Sequence, residues 1–244
     1  MIKTKDIERW YASKHYRKKA DWICIDQIKV ILEWKNAQEF GQLFFSEEFK
    51  PYAGFKESSR TEKVSQKWIN AVTKKPSNSG CIAIVRRPHY PLSNLLSAKH
   101  VLVLDGIQDP GNLGTIIRSA VAFNAPVICL SKTCVDAFHP KCVAATSGAI
   151  GKAQFFLEQH WSGWIKQSEF PKYVLNPNGV QTLQRMTRPK NYILICGSEG
   201  QGVQNKHLTS ISTIPLSIPM STHTESLNAA ISVSITLGHF FTNP

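Results

Sequence analysis

Acid is scarce in this chain. Its 17 Asp and Glu stand against 29 Lys and Arg, a formal net charge of +12. A balance that basic favours a polyanionic partner such as RNA, because each neutralised phosphate releases condensed counterions. A merely solvated basic surface is the plainer reading of the same charge. No apolar run approaches the ~18 residues that span a bilayer, so no membrane partner is expected. The opening "MIKTKDIERWYASKHYRKKADW" has no apolar core and is not read as a signal peptide. The six cysteines include no C-x-x-C pair, and the spacing of Cys134, His139 and Cys142 matches no zinc site, so no metal is expected. Cys24, Cys81, Cys129 and Cys196 lie in apolar runs, where a thiol behaves as a small hydrophobe, and reduced thiols point to the cytoplasm. Neither G-x-G-x-x-G nor a P-loop is present, which disfavours a dinucleotide-binding oxidoreductase.

What is there is a globular chain of uneven charge. With 42% hydrophobic and 19% charged residues it can bury a core, which excludes a disordered protein. Residues 1–100 carry 19 Lys and Arg against 10 Asp and Glu, a net of +9, and residues 101–244 carry 10 against 7. The front part is therefore the expected docking surface. It begins with a helical segment in which Lys14, Arg17, Lys18 and Lys19 cluster, either an RNA contact or a solvated face. The patterning then predicts strands at Trp22–Ile25, near 42–46 and near 80–86, helices near 27–37 and 64–75, and a loop across 47–63. "PHYPLSNLLSAKH" reads as a linker. Beyond it, strands at 101–107, 127–130, 173–176, 192–197 and 214–218 alternate with helices near 112–123, 141–150, 160–169, 202–209 and 225–240. That order predicts an α/β fold, a parallel sheet covered by helices on both faces.

In "VLVLDGIQDPGNLGTIIRSAVAF" a strand breaks at Asp109-Pro110-Gly111, and Asn112 is suited to cap the helix that follows. Leu113, Ile116, Ile117, Ala120 and Val121 share one broad helical face, with the single charge Arg118 at its edge between Gly114 and Ala122. Arg118 either snorkels over the rim of the core or offers its planar fork to an anion. "YILICGSEGQGV" runs an apolar strand into Gly197, Gly200 and Gly202, whose backbone allows a ligand close approach at the strand's carboxyl end. Glu199 within that turn either caps a helix or binds a polar ligand group. In "IPLSIPMSTHTESLNAAISVSITLGHF", Ser226 and Asn228 open a helix whose Ala229, Ala230, Ser232 and Ser234 allow another segment to come close, while Leu227, Ile231 and Ile235 form an apolar stripe. Ser226 is equally suited to a cap or a site role.

Together these segments resemble the SpoU (TrmH-like) family of RNA 2′-O-ribose methyltransferases, within the SPOUT class. Asn112 to Arg118 matches Asn-x-Gly-x-x-x-Arg, Gly197 to Gly202 matches Gly-x-Glu-Gly-x-Gly, and Ile218-Pro219-Met220 with Ser226-Leu227-Asn228 matches the third motif. "ATSGAIG" at 145–151 looks like the family's Ser-Gly-Ala helix. The resemblance spans residues 96–244, a methyltransferase domain, and implies a C-terminal trefoil knot. Residues 1–95 are similar to the L30e-like RNA-binding domain that precedes it in many members. Where the family usually has Gly two residues after the third motif's Met, this chain has Thr222.

The resemblance implies S-adenosylmethionine as cofactor, held by Gly197, Ile218, Met220 and Leu227, and 2′-O-methylation of structured RNA, rRNA in preference to tRNA, by a homodimer. Arg118 matches the family's catalytic arginine. Because arginine stays protonated, it is assigned to clamping a phosphate and stabilising the developing alkoxide. Ser226 or Asn228 would place the hydroxyl, and Asn112 and Glu199 would hold the site's shape. The alternative is a non-catalytic RNA-binding relative whose donor binding is weakened through Thr222.

Overall fold

Apolar runs without a polar face form the strands at the centre of this structure, a computed structural model that describes residues 2–35, 40–50, 60–74, 80–157, 161–204, 208–209 and 211–242. In chain order the elements are α1 (Thr4–Ala12), α2 (Lys14–Lys19), β1 (Trp22–Ile25), α3 (Ile28–Lys35), β2 (Phe40–Phe45), β3 (Thr61–Lys63), α4 (Gln66–Thr73) and β4 (Cys81–Arg86). They continue with α5 (Leu92–Ser97), β5 (His100–Asp105), α6 (Pro110–Ala122), β6 (Val127–Leu130), α7 (Pro140–Ala145), β7 (Gln154–Leu157), α8 (Trp161–Gln167) and β8 (Lys172–Leu175). The last are β9 (Gln181–Thr182), β10 (Tyr192–Gly197), β11 (Ile214–Ser217) and α9 (Ala229–Thr242).

The chain divides into two compact units. One joins Met1–Pro88 to Asp136–Gly151, and the other joins His89–Val135 to Lys152–Pro244. In the first, the strand order is β1-β4-β2-β3, with β4 antiparallel to both its neighbours and β3 parallel to β2. Ile7, Cys24, Phe44, Ile69, Ile82 and Ile84 form its core on one side of that sheet. Arg17 does not stand on the surface with Lys14 and Lys19. It is buried, its Nε donates to Asp136 Oδ2 at 2.8 Å, and its Nη1 donates to the carbonyls of Trp10 and Tyr11. A guanidinium so fully engaged is a structural anchor for the 136–151 segment, so Arg17 is neither the RNA contact nor the solvated face that the sequence left open.

The second unit holds seven strands in the order β7-β6-β5-β10-β8-β11-β9, every described pairing parallel. β6 and β10 are buried along their whole length, as strands covered on both faces must be. Their bounds match the sequence expectation, whereas β7, β9 and β3 were not foreseen. The stretch read as a linker carries α5, whose first turn follows Pro91. The helix expected over 141–150 stops at Ala145, because Ser147 and Gly148 take left-handed backbone angles, φ 49° and +100°. A Cβ on Gly148 would lie 2.6 Å from Glu33 Cγ, so the bend also needs the bare glycine. Of the helix expected near 202–209, residues 205–207 lie outside the described ones, and Gly202 to Gln204 are not helical, because Gly202 closes a bridge to Ser198 in a left-handed conformation, φ 62°.

Candidate active site

The site begins with two helix starts. α6 is capped by Asp109, whose carboxylate accepts from the Asn112 backbone N–H at 2.7 Å, and Pro110 takes the first helical position. Asn112 is thus not the cap that the sequence suggested. It sits in the first turn, and its side chain is left for other work. α9 is capped by Asn228, whose Oδ1 accepts from Ala230 N at 2.9 Å and Ile231 N at 3.3 Å. The capping role open to Ser226 therefore belongs to Asn228.

Between these helix starts stands Glu199. Its Oε1 accepts from Asn228 Nδ2 at 2.6 Å, Asn112 Nδ2 at 2.9 Å and Ala229 N at 3.3 Å, and Asn228 Nδ2 also reaches Asn112 Oδ1 at 3.1 Å. One carboxylate oxygen thereby ties three segments that are remote in sequence. The bonds are charge-assisted, and the positive end of α9 favours the anion. Glu199 is held in reach by a closed turn in which Ser198 and Gly202 exchange both backbone hydrogen bonds, 3.1 and 2.9 Å long. That turn packs against Gly197 so closely that a Cβ there would fall 1.9 Å from the Gly202 carbonyl carbon. The glycine is thus a steric requirement.

Beside this triad a cavity opens at the carboxyl ends of β8, β10 and β11, where ligands of parallel α/β sheets bind. It is lined by Leu175, Asn176, Pro177, Cys196, Gly197, Ser198, Glu199, Gly202, Leu216, Ile218, Met220, Ser226, Leu227, Ala229 and Ser232. Gly197, Ile218, Met220 and Leu227, the expected cofactor residues, all line it, as do Glu199 and Ser226. Burial, with Cys134 and Glu199 nearby, pushes the Cys196 thiol up to about 12, so it lines the cavity as a neutral hydrophobe. Sequence reasoning missed Leu175, Asn176 and Pro177. The turn signal Asn176-Pro177-Asn178-Gly179 directly after a strand marked them, and Asn176 Oδ1 does accept from Asn178 N at 2.9 Å.

Arg118 stands apart from these residues. It is exposed on α6, lines neither this cavity nor the one beside it, and makes no hydrogen bond or ion pair among the described residues. Thr222 is exposed and outside the cavity lining. α9 packs on α6 through small residues: Ser119 Oγ lies 2.6 Å from Ser234 Oγ, and Gly238 faces the Phe123 ring. On its other face Ile231 and Ile235 are 50% and 42% exposed, so the stripe they form is not core. Among the described residues no helix is long and apolar enough to cross a membrane, and no cluster of His, Cys, Asp and Glu is arranged to hold a metal ion.

Comparison with known proteins places this geometry. Residues 99–238 match the model of the SpoU rRNA Methylase family. The chain is 29% identical over 188 residues, 72% of its own length and 70% of the other's, to the Bacillus subtilis 23S rRNA (guanosine(2553)-2′-O)-methyltransferase RlmP. It is 33% identical over 165 residues to an uncharacterised tRNA/rRNA methyltransferase of Synechocystis, covering 65% of this chain and 58% of that protein. In fold it is similar to the SpoU methyltransferase AviRb from Streptomyces viridochromogenes, solved with AdoMet, at TM-score 0.84, 18% identity and coverage of 98% of this chain and 96% of that one. A TrmH-family structure from Porphyromonas gingivalis gives TM-score 0.82 at 24% identity, covering 98% of each chain.

Proposed function

Since the chain belongs to the SpoU rRNA methylase family, whose members transfer a methyl group from S-adenosylmethionine to RNA, we propose that it methylates a ribose 2′-oxygen in structured RNA, rRNA in preference to tRNA. The observation that carries this reading is the convergence of Asn112 and Asn228 on one carboxylate oxygen of Glu199 at the edge of the cavity. The activity in the name of the Bacillus relative supports the 2′-O position and the rRNA preference.

The cavity fits the donor. Backbone and apolar side chains of Gly197, Ile218, Met220 and Leu227 suit an adenosine, and Glu199 and Ser226 bring polar groups to its rim. S-Adenosylmethionine supplies a methyl already activated on a sulfonium, so no metal is needed. What the protein adds is position and electrostatics. Both ends of the Asn228 amide are engaged in capping and in holding Glu199, so Ser226 is the group left to place the acceptor hydroxyl. Arg118 clamps the adjacent phosphate and stabilises the developing alkoxide. Being remote from its own protomer's cavity, it serves the partner subunit's site in a homodimer joined through the exposed Ile231 and Ile235. The C-terminal segment forms a trefoil knot. In support, a Cβ on Gly179 would meet the Pro215 and Leu216 backbone at 2.7–2.8 Å, so the chain after β8 passes directly against β11. Residues 1–95 form an L30e-like RNA-binding domain and 96–244 the SPOUT domain, and the protein works in the cytoplasm. The position of Thr222 outside the cavity lining favours this catalytic reading over a binding protein that has lost its donor.

The test is transfer of labelled methyl from S-adenosylmethionine to unmodified rRNA and tRNA, followed by nucleoside analysis. A 2′-O-methylated nucleoside in rRNA is expected. RNA binding without transfer to either RNA would overturn the proposal in favour of the binding protein.

A further inference from the structure

A second cavity of about 400 Å³ lies beside the first, within the range of small-molecule sites. Ser198, Glu199 and Ala229 line both, so the Glu199 turn is the wall between them. The rest of its lining comes from the loop after β5, Gly106 to Asp109, and from Asn112, Gly200 and Gln201. Its chemistry differs from that of the donor cavity. It contains two carboxylates, Asp109 and Glu199, and three carboxamides, Gln108, Asn112 and Gln201, of which Asn112 is already bonded to Glu199. Carboxylates repel a phosphate and accept from N–H donors, while carboxamides both donate and accept. Such a lining suits a neutral planar group with donors and acceptors along its edge.

The acceptors have capacity to spare. Glu199 takes its three internal bonds on Oε1, and Oε2 accepts none among the described residues. The Gln108 and Gln201 side-chain amides make no hydrogen bond among the described residues, and both residues are exposed. A Cβ on Gly200 would meet nothing within 4 Å, so the lining there is not closed off by other atoms.

Resting on the methyl-transfer reading above, we infer that this cavity seats the base of the nucleotide to be methylated, a base bearing an exocyclic amino group. Gln108 and Gln201 read its edge, and Asp109 and Glu199 accept from its N–H donors. A base held there places its own ribose at the shared wall, next to the donor cavity. This explains why the Glu199 turn is tied to both helix starts: it fixes the two ligands' cavities against one another. Uracil, which has no amino group, leaves the carboxylates poorly matched, and leaving polar groups unpaired is what discriminates strongly between similar ligands.

The test uses the full-length protein and does not depend on turnover. The ¹⁵N side-chain amide signals of Gln108 and Gln201, assigned through Gln108→Ala and Gln201→Ala, are followed during titration with guanosine, adenosine, cytidine and uridine at millimolar concentration. Both signals should move with at least one amino-bearing nucleoside and markedly less with uridine. No movement with any nucleoside, or equal movement with uridine, overturns the inference. A second arm is Gly200→Val, which adds a branched side chain to the cavity lining. It should lower kcat/KM for RNA roughly tenfold or more, as loss of a base-reading contact does, while calorimetry shows donor affinity within about twofold of wild type. Wild-type turnover in this variant would overturn the inference. So would a donor affinity that falls as far as turnover. Failure of the wild-type protein to methylate any RNA, with the Gln signals still answering to nucleosides, would instead sink the methyltransferase reading.

Discussion

Glu199 accepts hydrogen bonds from two helix starts although it is exposed, so its contribution comes from connection more than from burial. Removing the carboxylate leaves two amides and one helix N–H to find water. Glu199→Ala should therefore cost only about 1–3 kcal/mol in denaturant unfolding. Its methyl transfer should fall by two orders of magnitude or more, since small misplacements at a reacting centre cost about that much. A stability loss with turnover intact would make Glu199 a structural tie alone. Arg118 gives the opposite signature. It makes no hydrogen bond or ion pair among the described residues, so Arg118→Ala should leave unfolding within about 0.5 kcal/mol of wild type. It should keep donor affinity by calorimetry and lose most turnover. An equal loss of donor binding would show that it supports the fold of the cavity. At Gly197 the prediction is categorical: Gly197→Ala puts a methyl into the Gly202 backbone, and donor binding should vanish together with the closed turn.

At the scale of elements, capping makes one helix sensitive to pH. α7 begins at His139, whose Nδ1 accepts from Lys141 N at 3.1 Å, which only an unprotonated Nδ1 can do. Burial, with Arg17 nearby, holds His139 below its ordinary value of 6.5. The sign follows: the cap's contribution is complete above the unfolded value near 6.5 and is lost as pH falls through the lower folded value. His139→Asn, a cap that does not titrate, should remove that part of the acid dependence in unfolding followed between pH 7 and roughly pH 5. Legibility also varied by element. Trp22–Ile25, Val127–Leu130 and Tyr192–Gly197 were readable to the residue, because strands buried on both faces must be continuously apolar. β7 ends in Leu157, 65% exposed, and β9 is only Gln181–Thr182, so neither carries that signature. Pro88 and Pro91 read as a linker, yet a proline just before a first turn is compatible with the helix that follows. At the candidate site, the sequence named residues that line one cavity but neither the hydrogen bonds that join them nor the distance of Arg118 from them. The cap itself was marked locally, by Asp109 followed by Pro110 at the first helical position, whereas the side-chain partner of Asn112, Glu199, lies 87 positions away.

For the whole molecule, the exposed Ile231 and Ile235 mark the proposed dimer contact. Ile235→Arg should convert the dimer to a monomer in sedimentation, and an unchanged dimer would place the interface elsewhere. The chain's path matters as much as its surfaces. It leaves the first unit at Pro88, returns for Asp136–Gly151 and departs again. A fragment starting at residue 96 would carry Asp136 without Arg17 and should unfold more easily by about 3–5 kcal/mol, the cost of stranding one partner of a buried ion pair. The methyltransferase part is therefore no transplantable cassette. A recombination that gave it a different front domain would have to supply an arginine for Asp136 and a cover for Cys142, Val143 and Ile150. Inheritance of the two parts is constrained to be joint, and substitutions in either can be judged only against the other.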